Sequence, residues 1–287
     1  SITSAFPLDC VVTQGRNAAI EPISYFRIAT HLRKMFTYSA SAEANSGTNV
    51  VTSFDQDGMT VGTDTDINNS SYTYINWFFK RATGVMDVIP YEGDGSNART
   101  INHNLKTVPE MMIFKSRGSG DAWWVYHKDM AADEFLVLYL DNQKFTNRTY
   151  INSTRPTSSV FTVHGTTAAI NGSGTAYVNV AFATLDGVSK VGSYSGTGSN
   201  VDVNCGFSST ARFVLIKRTD ATGDWFIYDH ARGIVSGNDP YQRWNAAGAE
   251  TTGTDYIDPL STGFTITSSA PSGLNASGGT YIFLAIA

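Results

Sequence analysis

The sequence predicts an all-β protein made of tandem β-sandwich modules of about a hundred residues, a common domain size, with the first copy incomplete. Three observations predict it. The chain repeats itself: Val85-x-x-Val88-x-x-Tyr91-x-Gly93-x-Gly95-Ser96-Asn97 returns as Val188-x-x-Val191-x-x-Tyr194-x-Gly196-x-Gly198-Ser199-Asn200. Apolar residues alternate along short runs, the two-residue period of a strand. Turn-forming Gly, Asn and Ser clusters recur every ten residues or so, while few windows carry a helical stripe. The repeat divides the chain into residues 1–83, 84–186 and 187–287.

Each element follows in order. Met112-Ile113-Phe114-Lys115 aligns with Val214-Leu215-Ile216-Lys217, and the runs Met111–Phe114 and Phe213–Ile216 are apolar at every position, as interior strands are. Cys10-Val11-Val12 aligns with the first of them, which places residue 1 near position 103 of the next copy. The counterpart of the opening strand and glycine turn is therefore expected from a longer polypeptide or from a partner chain. Trp123-Trp124-Val125-Tyr126 aligns with Trp225-Phe226-Ile227-Tyr228. The best helical window, Pro22–Phe36, fits a helical stripe only in part through Ile23, Phe26, Ala29/Thr30 and Leu32/Arg33, and its counterparts 129–139 and 230–244 have room for a short helical turn. All three copies close alike, on Ile75/Trp77/Phe79, Val178/Val180/Phe182 and Ile282/Leu284/Ile286 in alternation, which predicts a half-buried strand. An Asn-rich turn precedes each closing run, before Tyr74, Tyr177 and Tyr281. The joints near 82–85 and 185–188 are too short for flexible linkers, so the modules are expected to pack together in an elongated, beaded body.

Composition narrows the function. Hydrophobic residues make up 41% of the 287, enough to fill a core in each copy, whereas charged residues are only 16%. Net charge is −5, and no Lys/Arg block exceeds Arg33-Lys34, which argues against a nucleic-acid groove. No apolar stretch approaches the roughly 20 residues of a membrane helix. Cys10 and Cys205 occupy non-matching places in different copies, so both read as buried free thiols.

Candidate sites are weighed against packing. Neighbours on a strand point to opposite faces, so one ring of Trp123/Trp124 and one of Trp225/Phe226 is expected to leave its own core. Such a ring suits a sugar-stacking platform, although packing between sheet and loop or between modules is the stronger explanation. Tyr241, Arg243 and Trp244, in a polar loop, are the second candidates for receptor or glycan binding. The Asp220…Gly223-Asp224-Trp225 stretch resembles an Asp-box turn with its glycine one place late; a hairpin turn explains it. His31, His103, His127, His164 and His230 show no metal-ligand spacing. Asp87, Glu92, Asp94, Asp255 and Asp258 are scattered through turns, and no nucleophile–base motif occurs. No cofactor, metal or catalytic residue is expected.

Taken together, Tyr-x-Gly-x-Gly, Arg99-Thr-Ile-Asn-His-Asn-Leu105, Val108-Pro109 through Lys115, Trp-Val-Tyr-His127, Phe213 through Arg218, Tyr228-Asp229-x-Ala-Arg232 and Asn275-Ala-Ser-Gly-Gly-Thr-Tyr281 resemble a repeat of tailed-bacteriophage structural proteins, marine and cyanophage types above all. The resemblance implies a virion protein made in the host cytoplasm, part of a tail fibre or adhesin, non-enzymatic and oligomeric. Its expected partners are other virion proteins and a host-surface glycan. The alternative it leaves is a capsid decoration or head-fibre protein.

Overall fold

A computed structural model describes residues 1–29, 33–165 and 168–287. His31 and the Thr30 and Leu32 positions of the candidate helical window lie outside the described residues. The rest of that window is strand Ile23–Phe26, a 3-10 turn Arg27–Ala29 and strand Arg33–Phe36, so alternation prevails there over the partial helical stripe. The short helices lie elsewhere, one turn each at Thr65–Asn68, Ala168–Asn171 and Ser272–Asn275, just ahead of the three closing strands.

The protein is all-β, and each copy builds a five-stranded sheet. In the second copy the strands run Leu136–Val137, Trp124–His127, Met111–Ser116, Ala176–Phe182, Met86–Glu92 across the sheet. The third repeats this order with Gln242–Arg243, Trp225–Asp229, Phe213–Arg218, Thr280–Ile286 and Ser189–Ser195. The first has Ala44–Asn45, Arg33–Phe36, Ile23–Phe26, Cys10–Gly15 and Tyr74–Phe79, with the closing strand at the edge. Each copy adds a small sheet: Ile2–Thr3, Gly58–Val61 and Val51–Phe54 in the first, Arg99–Asn102 with Val160–Val163 in the second, and Val201–Asn204, Gly263–Ile266 and Ile257–Leu260 in the third.

Pairing refines the alignment of the copies. Cys10 lies opposite Phe79 as Met111 lies opposite Phe182 and Phe213 opposite Ile286. Cys10 thus matches Met111, one place earlier than sequence alignment indicates. Ile2, opposite Met59, matches Ile101 opposite Phe161 and Val203 opposite Phe264, so the first copy does include the end of the small-sheet strand.

Between its large and small sheet each copy encloses its own apolar core: Met112, Phe114, Tyr126 and Phe161 in the second, Val214, Ile216, Tyr228 and Phe264 in the third, Val11, Tyr25 and Met59 in the first. A fourth core is common to all three. Val12, Trp77 and Phe79 meet Ile113, Val125 and Phe182, and both groups meet Leu215, Ile227 and Leu284. At its centre the Phe79 ring lies edge-on to Phe213 at 5.6 Å and to Phe182 at 6.3 Å, so one side chain touches both other copies. The modules do pack together, as their short joints require. They close around a shared core, however, and do not form the elongated, beaded body expected from a tandem repeat.

The closing strand of the first copy, Tyr74–Phe79, is half-buried as expected, but those of the second and third are buried on both faces. Tyr177–Phe182 is buried on both faces, since Val178, Val180 and Phe182 enter the shared core while Tyr177, Asn179 and Ala181 face the copy's own. Small and polar residues at the alternate positions read as solvent-facing in sequence; here they lie beneath a second layer.

Candidate functional site

The joints between copies follow one plan. The fifth residue of the matching strands Cys10–Gly15, Met111–Ser116 and Phe213–Arg218 is Gln14, Lys115 or Lys217, each fully buried. Lys115 Nζ donates to the Ala40 carbonyl at 2.9 Å, in the first copy. Lys217 Nζ donates to Asn142 O at 2.8 Å and Asp141 O at 3.2 Å, in the second. Gln14 Nε2 donates to Ala246 O at 3.2 Å and Arg243 O at 3.4 Å, in the third. Copy two therefore grips copy one, three grips two, and one grips three.

Two residues further on, the backbone repeats the pattern. Glu43 N donates to Arg117 O, Lys144 N to Thr219 O and Glu250 N to Arg16 O, at 3.0, 2.9 and 2.7 Å. Arg117 also pairs with Glu43, and Arg16 with Glu250 at 3.0 Å. At the remaining joint Thr219 replaces the arginine, and Lys144 pairs with Glu134 within its own copy. Burial holds both lysines below the ordinary lysine value, Lys115 at about 8 and Lys217 at about 7.

The joint between third and first copies adds a buried ion network. Arg232, its side chain 1% exposed, bridges Asp229 at 2.7 Å and Glu250 at 3.1 Å. Trp77 crosses from the first copy to donate its indole N–H to Asp229 Oδ2 at 3.0 Å, and the Arg232 guanidinium lies 5.4 Å from that ring's centre.

Of the two readings of the aromatic pairs, burial favours packing over the sugar platform. One ring of each aromatic pair does leave its own core, but it enters the shared one. Trp123 is 2% and Trp225 1% exposed, and their indole N–H groups donate across the joints to Phe36 O and Val137 O. Phe226 is buried in the third copy's own core. Trp124 is half-buried against Tyr150, 4.6 Å between ring centres. Nor is the 241–244 segment a polar loop: Trp244 is buried in the shared core, Arg243 lies on a short strand and pairs with Asp224 at 3.1 Å, and Tyr241 is half-buried beside Phe226. The Gly223 amide of the late-glycine turn donates to Asp141 O, making that turn part of a joint.

The repeated glycine and asparagine motifs prove to be two halves of one clasp. Asn171, at the end of the second copy's helical turn, donates to Ser96 O at 2.8 Å and accepts from Asp94 N. Asn275 donates to Ser199 O at 2.8 Å and accepts from Thr197 N. Tyr91 stacks on Tyr177 at 5.1 Å and Tyr194 on Tyr281 at 4.8 Å. Gly93 is required because a Cβ there would meet the Gly172 carbonyl at 2.2 Å.

Cys10 and Cys205 are buried free thiols, both raised by burial, Cys205 to about 12. Among the described residues no group of three or more His, Cys, Asp or Glu side chains could hold a metal ion. No helix among them is long and apolar enough to cross a membrane. A polar cleft of about 460 Å³ lies on the joint between second and third copies, lined by Asp129, Lys144, Ser193, Ser195, Thr219 and Thr280. Sequence reasoning missed it because its residues come from two copies and share no motif.

These features define a three-repeat all-β protein closed around one core, with joints built from backbone-directed side chains. A family model described as a domain of unknown function, DUF7483, matches residues 1–287, and the chain belongs to that family. No curated protein and no solved structure matches it.

Proposed function

We propose that the chain is a structural protein of a tailed-bacteriophage virion, the distal part of a tail fibre or adhesin that binds a host-surface receptor without catalysis. One observation carries the reading. Some of the residues that carry the phage-repeat resemblance, Tyr91 and Gly93 with Tyr194, Gly196 and Asn275, belong to the clasp of each complete copy, where Asn171 matches Asn275. Residues that hold each complete copy together are among those the resemblance draws on, which supports the reading. A rigid β-body that holds surface loops suits receptor binding, and display in several copies multiplies weak contacts. With Trp123, Trp225 and Trp244 internal, the polar cleft at Asp129, Lys144 and Ser193 is the surface offered to a glycan.

Gold-labelled antibody against the chain on intact particles tests this by electron microscopy. Label at fibre tips is the expected result, followed by loss of host-cell binding in Asp129→Ala/Ser193→Ala without loss of folding. Label spread over the head makes it a capsid decoration protein. The open edge of strand Tyr74–Phe79 favours this second, assembly reading.

A further inference from the structure

Several buried polar atoms without a hydrogen-bond partner gather in one part of the third copy: Asp239 Oδ2, Asp255 Oδ1, Asp258 Oδ1 and the Tyr228 hydroxyl. Asp239 and Tyr228 are wholly buried. Asp255 and Asp258 lie near enough for their charges to act on Asp239, which acts in turn on Tyr228. The buried carboxylates of Asp229 and Glu250 share Arg232. Among the described residues, by contrast, no Lys, Arg or His pairs with Asp239, Asp255 or Asp258. A buried carboxylate so placed is costly while it is charged.

Asp239 ties two segments together. Its Oδ1 accepts from Val235 N at 2.8 Å, closing the 235–239 turn. Its own N–H donates to Thr254 O at 2.7 Å, and Thr254 Oγ1 donates back to its carbonyl at 3.2 Å. The titratable groups around it are Asp255, Tyr256 and Asp258, on and just ahead of strand Ile257–Leu260, with Tyr228 on strand Trp225–Asp229 and Tyr241. Tyr194 of the opening strand also acts on Tyr228. Every one of these groups is an acid, so none offers a positive charge.

Nor do three such side chains among the described residues stand where a metal ion could be held. The partner that remains is a proton. On Oδ2 it removes one of three like charges and turns an orphaned acceptor into a donor. Burial pushes the Asp239 carboxyl up to about 7 against the Val235 and Ile257 amides, and Asp258 and Asp255 add to the rise.

The segment between the two tied ends reaches the first copy. Gln242 Nε2 donates to Gly15 O, Thr37 Oγ1 donates to Trp244 O at 2.8 Å, and Glu250 pairs with Arg16 at 3.0 Å. Tyr241 and Thr251 exchange backbone hydrogen bonds at 3.0 Å near its base. Residues 240–253 therefore hang between Asp239 and Thr254 while they hold the third copy to the first.

We propose that Asp239 is a proton-operated latch on this joint. Neutral, it holds the 235–239 turn to Thr254 and keeps residues 240–253 seated on the first copy. Ionised, it is repelled by Asp255 and Asp258, and the segment loosens. The folded carboxyl keeps its proton well above the ordinary value of 3.8, so between the two values the folded chain binds more protons than the unfolded one. Stability from this group is full below about 3.8 and is lost as pH climbs through about 7.

Amide hydrogen exchange of the 287-residue chain, corrected for the intrinsic effect of pH, tests this at about pH 5 and about pH 8. Protection across 240–253 is expected to fall about tenfold or more at the higher pH, the equivalent of about one pK unit. Strand Val160–Val163 should hold steady. Asp239→Asn, neutral at every pH, should abolish the fall and keep 240–253 as protected at the higher pH as the parent is at the lower. Where that variant does not fold, Asp258→Asn carries the test: with one repelling charge gone, the fall should shrink. An undiminished fall in either variant overturns the proposal, as does a parent equally protected across 240–253 at both values. So does calcium chloride that restores protection at the higher pH in the parent, since the cluster would then be a cation site.

Discussion

Gln14 of the first copy and Lys217 of the third hold the same place in their sheets, and each directs its terminal nitrogen at backbone carbonyls of the neighbouring copy. A neutral amide and an ammonium thus perform one task. The carbonyls of the receiving loop set the requirement, a long side chain ending in N–H donors, and the charge is incidental to it.

It follows that Lys217→Gln should retain most of the joint, while Lys217→Ala leaves the carbonyls of Asp141 and Asn142 without that donor. The alanine variant is expected to lose about 2–3 kcal/mol, and the glutamine variant clearly less. Urea unfolding of the two variants beside the parent measures the difference. Equal losses would show that the carbonyls are not what the lysine serves.

The same lysine gives a pH signature. Its folded value of about 7 lies below the ordinary lysine value of about 10.5, so between the two the unfolded chain binds more protons than the folded one. Stability contributed by this group therefore rises as pH climbs from about 7, and below that value the cost of the buried charge is fully present. Unfolding midpoints collected from about pH 6.5 to 9.5 should show the rise, and Lys217→Gln should flatten it.

Arg232 holds two buried carboxylates at once, Asp229 and Glu250. Arg232→Ala leaves Glu250 to the more exposed Arg16 and Asp229 without a charged partner, and is expected to cost about 3–5 kcal/mol. Trp77→Phe keeps the ring but removes one donor to Asp229, costing about 1–2 kcal/mol. Calorimetry of both variants reads the difference; a mild Arg232→Ala would mean that water reaches the network.

Trp123→Ala and Trp225→Ala should each cost about 3–5 kcal/mol, the loss expected from a cavity in a packed core. Glycan or cell binding by whatever remains folded should be unchanged. Weakened binding with an intact melting transition would instead restore the ring as a contact surface.

Gly93→Ala is expected to be severe, because its Cβ would meet the Gly172 carbonyl. Gly118→Ala, whose Cβ meets only Thr175 at ordinary contact distance, should be nearly neutral. Thermal melts of the pair separate a clasp glycine from one in a roomy turn.

The repeat, the all-β class and the interior strands Met111–Ser116 and Phe213–Arg218 were legible because period and apolar runs are local signals. The destination of Trp123 and Trp225 was legible only halfway. Strand geometry says that such a ring leaves its own core, and nothing local says whether water or another sheet awaits it. The buried asparagines were read as plain turn residues for the same reason: Asn171 acts on Ser96 O, which is far from it in sequence. The shared core was illegible because Phe79, Phe182 and Phe213 become neighbours only once three copies close. The polar cleft likewise exists only between copies.

Closure also sets a timetable for folding. As the chain is synthesised, the first copy's Val12, Trp77 and Phe79 emerge long before Trp244, Ile282 and Leu284, which complete the layer above them. The early copies must wait with one sheet face uncovered, and contacts of such long sequence separation form slowly. Apolar sheet exposed meanwhile invites association with other nascent chains. Slow synthesis through the third copy should therefore lower the yield of soluble protein, and speed of completion becomes part of what this architecture demands of the cell that makes it.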